Sequence, residues 1–225
     1  MSARRIIIAA LATALSLVTA CSGDPGSQDA LPGGPDLVKK SAAAMRTVKS
    51  AAFTMETENT PQLRVKKAAG RLSATGDADG TLQLDFAGSL QEISFVLAGD
   101  TVYFKGVTGG FQRMSRSQLA SIYDPSAILD PDRGIVQLLS GALDPETKAE
   151  EKVGGADAYR LEATLSQQIL AALVPDIAQN VDGVLWIDKA TSRLLKAELP
   201  LSATGKATVS LTDYDVPVQV TAPTG

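Results

Sequence analysis

Apolar residues recur along this chain in two distinct periods. From Asp36 the spacing is helical: Leu37, Ser41, Ala44, Met45 and Val48 fall on one face at intervals of three and four, with Asp36 placed to cap the helix. Beyond it the period drops to two. Phe53 and Met55, Leu63 and Val65, Leu82, Leu84 and Phe86, Ile93, Phe95 and Leu97, and Val102 and Phe104 alternate with polar neighbours, as strands with one buried face do. Gly76-Asp77, Asp79-Gly80, Gly88-Ser89, Gly99-Asp100 and Gly109-Gly110 punctuate these runs and predict hairpin turns between antiparallel strands.

The middle of the chain returns to helical spacing. Ser115-Arg-Ser-Gln118 has the form of a capping box, opening a short helix through Leu119, Ile122 and Tyr123. Asp130-Pro131 reads as an N-cap followed by proline at the first helical position, leading into Ile135, Leu138 and Leu139. Strand patterning resumes at Ala158 to Leu165, and a third apolar helix runs through Ile169, Leu170, Leu173 and Val174. The last third is strand again, at Val184 to Asp188, Leu194 to Leu199, Lys206 to Thr212 and Val216 to Val220. With no internal repeat and no second linker, the pattern predicts one α+β domain, a large antiparallel sheet with a few helices packed on one side.

The first residues break this scheme. Arg4 and Arg5 precede an uncharged apolar run from Ile6 to Val18, and Val18-Thr19-Ala20-Cys21 places a lone cysteine after small residues. The order is that of an export signal, and the run is shorter than the roughly 20 residues a membrane span needs. The Val18-Thr19-Ala20-Cys21 run resembles a lipobox. Residues 1–20 are therefore expected to be a lipoprotein signal peptide, with Cys21 the lipid anchor that holds the exported protein on the outer face of the plasma membrane. Residues 21–35 then form an acylated N-terminus and a Pro/Gly/Ser-rich tether, and 36–225 the folded domain.

Composition narrows the chemistry. The only cysteine is Cys21, so its acylation leaves no thiol for a disulfide, a metal or a nucleophile. Histidine is absent, which removes the commonest general base, the Ser-His-Asp arrangement and the usual zinc ligand together. Without Arg4 and Arg5, 19 basic residues face 25 acidic ones, a formal charge of −6, which argues against nucleic acid and against an anionic membrane surface as partners. The Asp77-Ala-Asp79-Gly80 cluster lacks a calcium loop's bidentate glutamate, because Gly88 stands at that position. Asp130 and Asp132 are better explained by helix capping than by paired-carboxylate catalysis. Neither an enzyme nor a cofactor or metal site is expected.

The stretch Ile122-Tyr-Asp-Pro-Ser-Ala-Ile-Leu-Asp-Pro-Asp-Arg-Gly-Ile-Val-Gln-Leu-Leu139, the Val184-Leu-Trp-Ile-Asp188 strand and the closing Tyr214-Asp-Val-Pro-Val-Gln-Val220 resemble the LppX/LprA/LprF/LprG lipoproteins of mycobacteria and related actinobacteria. The resemblance implies a half-barrel sheet with helices on its concave face, enclosing an apolar cavity for the acyl chains of glycolipids or triacylglycerol. Pattern alone makes the alternating apolar stripe a core. The resemblance instead implies that Leu82, Leu84, Phe86, Ile93, Phe95, Leu97, Val102, Phe104, Ile135, Leu138 and Leu139 line the cavity. Aromatic residues, at 4% with the single Trp186, give a sheet of this extent few large side chains to fill its interior. The implied function is carriage of acylated lipid from the plasma membrane towards the outer envelope, with a membrane lipid exporter as partner. The alternative is an envelope scaffold that binds a membrane protein and carries no lipid.

Overall fold

A computed structural model of the chain describes residues 30–120, 127–173 and 177–223. The leader, Cys21, Ile122, Tyr123 and Val174 lie outside the described residues. Eleven strands form a single antiparallel sheet: β1 (Ser50–Glu58), β2 (Val65–Ser73), β3 (Ala78–Phe86), β4 (Ser89–Ala98), β5 (Thr101–Lys105), β6 (Gln112–Ser115), β7 (Leu143–Val153), β8 (Ala156–Leu165), β9 (Val181–Asp188), β10 (Leu194–Pro200) and β11 (Lys206–Thr212). Four described helices accompany it: α1 (Gly34–Met45), α2 (Arg116–Ala120), α3 (Ile135–Ser140) and α4 (Gln167–Leu173).

Strand order is β6-β5-β4-β3-β2-β1-β11-β10-β9-β8-β7. The chain lays down β1 to β6 in one direction, crosses to the far edge, and returns from β7 to β11, which pairs with β1. Most strand connections within each half are short, so the antiparallel order follows largely from local hairpins; the link from β8 to β9 is longer and carries α4. The crossing between the two halves, from β6 to β7, carries α2 and α3.

A twisted sheet of this many strands curls unless something flattens it. Arg116 shows the curl directly. Its backbone N–H reaches the Asp100 carbonyl in the β4–β5 turn at 2.9 Å, and its guanidinium donates to the Gly76 carbonyl in the β2–β3 turn. The chain leaving edge strand β6 is thereby drawn inward over the turns of strands that a flat sheet would keep well apart. Asp77 ties the same two turns together by accepting from Gly99 N–H at 3.0 Å.

The packed core lies over the second half of the sheet and extends to Leu72, Leu97 and Val102 at one end of the first. Leu37, Met45, Leu138, Leu139 and Leu170 from the helices join Leu161, Leu165, Leu185, Ile187 and Leu211 from β8, β9 and β11 in one buried cluster. The outer face is polar and many of its charges are matched in pairs, including Arg71 with Asp79 at 2.5 Å and Lys67 with Glu56 at 3.1 Å. Trp186 lies on that outer face, its indole N–H donating to Glu151 at 2.7 Å and its ring covered by the Lys196 ammonium at 4.3 Å from the centroid. Beyond β11 the chain is fastened to the start of β1. Lys49 N–H donates to the Asp215 carboxylate at 2.8 Å and the Ser50 hydroxyl to the Val216 carbonyl at 2.6 Å.

Several expectations are corrected. Helix α1 opens at Gly34 with Gly33 as N-cap and Pro35 in the first turn; Asp36 lies inside that turn and places its charge where the helix dipole favours it. Asp79-Gly80 is within β3, and the turn is at 74–77. Asp130 caps a separate turn, accepting from Asp132 N–H at 2.8 Å, whereas Gly134 precedes α3. Strands β6 and β7 were not expected. Residues 216–220 form no strand, since β11 already has β1 and β10 on its two sides and no ladder edge is open beside it.

A half-filled apolar concavity as candidate functional site

Register sorts the inward side chains of the first half-sheet into rows. The row nearest the β2–β3 and β4–β5 turns runs Ala51, Leu72, Ala78, Leu97, Val102 and Met114, each opposite the next. The middle row runs Leu211, Phe53, Gly70, Gly80, Phe95 and Phe104. The third runs Val209, Met55, Ala68, Leu82 and Ile93. Leu84, opposite Val65, and then Phe86 continue the same face towards the β3–β4 turn. The eight strand residues expected on one face are therefore on one face.

Burial along that face is graded. Leu97 and Val102 are 2% and 4% exposed and belong to the packed cluster, Phe95 packs against it, and Phe86 is 45% exposed at the opposite end. Between these limits Leu82, Leu84, Ile93 and Phe104 are half-buried and stand outside the cluster of described residues. Strands β8 and β9 differ, since their inward residues Leu161, Ala163, Leu165, Val181, Leu185 and Ile187 are buried and the half-buried Tyr159 packs against the same cluster. One half of the concavity is thus filled by α1, α3 and α4, and the other is an apolar wall that the described helices leave unfilled.

The expected lining set divides accordingly. Leu97, Val102, Ile135, Leu138 and Leu139 sit in the packed core, where pattern alone would put them. Leu82, Leu84, Ile93, Phe95 and Phe104 form the half-buried wall, and Phe86 its exposed outer rim. Met55 and Val209, half-buried in the third row, extend the wall across β1 and β11. Sequence reading missed these two, although the alternation of Phe53 with Met55 already put Met55 on the inward face.

The middle row contains the Gly70–Gly80 pair. A Cβ on Gly80 would meet the Ala69 carbonyl oxygen at 2.2 Å, and one on Gly70 the Asp79 oxygen at 2.3 Å. The two backbones approach there as only glycine permits. Polar chemistry is sparse: no group of three or more metal-ligating side chains occurs among the described residues. Nothing on the wall offers a nucleophile beside a base. The surface suits contact with hydrocarbon.

An unclosed antiparallel half-barrel, with helices against part of its concave face and an apolar wall on the rest, defines the class. The family model of the LppX_LprAFG lipoproteins matches residues 34–220, and the chain belongs to that family. It is 31% identical over 224 residues to the lipoarabinomannan carrier protein LprG of Mycolicibacterium smegmatis, covering 96% of this chain and 94% of the relative. It is 28% identical over 227 residues to the protein of the same name from Mycobacterium tuberculosis, covering 98% and 95%. Among solved structures, LprF from Mycobacterium bovis has the same fold with a TM-score of 0.78 at 18% identity, over 85% of this chain and 97% of that one. LppX from Mycobacterium tuberculosis follows at 0.62 and 20%, over 83% and 97%.

Proposed function

We propose that this protein is an envelope lipid carrier, which seats acyl chains against the wall of Leu82, Leu84, Ile93, Phe95 and Phe104. The observation that carries the reading is the unequal filling of one continuous apolar face. A half-buried stripe of leucine, isoleucine and phenylalanine beside a finished core is what a removable apolar ligand requires. Relatives named as lipoarabinomannan carriers favour an acylated glycolipid as the ligand class.

Transfer is then an exchange between two apolar phases. Bringing one acyl chain of ~15 methylenes into water costs on the order of 12 kcal/mol, at ~0.8 kcal/mol per CH₂. A wall that replaces the bilayer's contacts offsets that cost, so lipid leaves the membrane at nearly constant free energy. Acylated Cys21 keeps the exported carrier on the outer face of the plasma membrane, within reach of its donor. A membrane lipid exporter is the partner that would load it for travel towards the outer envelope.

The test is organic extraction of the protein purified from its native host, followed by mass spectrometry. A stoichiometric acylated lipid besides the one on Cys21 is expected. Protein that yields none, and takes up none from vesicles, would make a lipid-free scaffold the better account.

A further inference from the structure

The geometry points to a second membrane contact: the outer face of α1 is a docking surface for the anionic headgroups of the leaflet in which the protein is anchored. Net charge alone argued against any such surface, yet the fold separates charges that the composition averages. On the sheet's outer face Lys67, Arg71, Lys148, Arg160, Lys196 and Lys206 sit in ion pairs with carboxylates, while Lys105 and Arg113 lie over the rings of Phe111 and Tyr103. On α1, Lys39, Lys40 and Arg46 are exposed and, among the described residues, form no ion pair; the helix's one acid, Asp36, pairs with none of them.

Lys39, Ala43 and Arg46 follow one another at helical spacing and, with Pro35, Val38 and Ala142, line a groove of about 470 Å³ beside α1. Its floor is apolar and two of the uncompensated cations flank it. The apolar side of α1 is already committed to the core through Leu37, Val38, Ser41 and Met45, so the helix has nothing left to insert deeply into a bilayer. Contact at headgroup depth is what remains.

Chain length supplies the second argument, and it rests on the reading of Cys21 as the lipid anchor. Gly34 follows Cys21 by 13 residues (34 − 21), so even a fully extended chain keeps the start of α1 within about 50 Å of the anchored cysteine. Confinement that close raises the effective concentration of headgroups, so a weak attraction suffices. Each cation near an anionic leaflet is worth roughly fivefold in partition, and three together on the order of a hundredfold. Docking α1 would turn a swinging anchored domain into one held in a fixed orientation.

The test uses the full acylated protein carrying Ala43→Cys, labelled with a polarity-sensitive dye and reconstituted into vesicles of phosphatidylcholine alone or with phosphatidylglycerol added. Flotation reads the anchor and the dye reads α1. The expected result is flotation with both vesicles and a blue shift with the anionic one only. That shift should disappear in high salt and in Lys39→Glu/Lys40→Glu/Arg46→Glu protein, which still floats and melts as wild type does. Flotation with equal emission on both vesicles would overturn the proposal while leaving the anchor intact. Failure to float on neutral vesicles would overturn the anchor, and the docking argument with it. A concentration-dependent shift without vesicles would assign the groove to a second copy of the chain instead.

Discussion

At the scale of single residues, backbone approach and one carboxylate make the sharpest demands. The Gly70–Gly80 contact leaves no space for a methyl group on either strand, so Gly80→Ala should destabilise by about 1–3 kcal/mol. For a domain of this size that is a fall of roughly 3–10 °C in melting temperature. Asp215 makes a different demand. The Lys49 N–H, aided by the Arg193 guanidinium, holds its carboxyl below the ordinary value of 3.8, so the folded state favours the charged form. The stability this contributes is present above that value and is lost as pH falls through the lower folded-state pKa. Asp215→Asn tolerates the same positive φ of 62°, and should melt below wild type near neutral pH, with the gap closing below pH 3.8. A gap that persists in acid would mean that the charge is irrelevant to the fastening of the C-terminus.

At the scale of elements, the boundary of α1 is the most consequential difference between the pattern and the fold. The sequence places the tether's end at residue 35, because Asp36 is a strong capping residue and the glycines and prolines before it read as linker. The helix instead takes in Gly34 and Pro35, with Gly34 packed so closely on β7 that a Cβ would lie 1.9 Å from the Pro145 carbonyl oxygen. A chain beginning at Asp36 should therefore melt several degrees below one beginning at Ala30, as thermal unfolding would show. Equal melting would return residues 30–35 to the tether. Other elements were legible because their chemistry is local. The Ser115–Gln118 capping box forms as its letters predict, Ser115 N–H donating to Gln118 at 2.9 Å and Gln118 N–H to the Ser115 hydroxyl at 3.2 Å. Strand β7 was illegible for a physical reason. It is an edge strand, with Pro145 near its start and Glu146, Lys148, Glu150 and Lys152 along it, the means by which edges avoid pairing with other chains. Such a strand has little apolar alternation to read.

At the scale of the whole molecule, alternation could say which side of the strands faces inward, and the rows of the first half-sheet match that side. It could not say how far the helices reach across the concavity, because that depends on contacts between residues far apart in sequence. Leu97 and Leu82 look equivalent in the sequence. In the fold, Leu97 belongs to the core and Leu82 stands beyond it. The central claim is that the space beneath Leu82 belongs to a ligand, and Leu82→Trp tests it most directly. The melting temperature of delipidated wild type and variant is measured beside uptake of a fluorescent long-chain lipid. The account predicts melting within a degree or two of wild type, since an indole there enters unfilled space, together with a large loss of lipid uptake. A variant that melts several degrees lower, as overpacking by about 1–3 kcal/mol would require, yet binds lipid as wild type does, would contradict it.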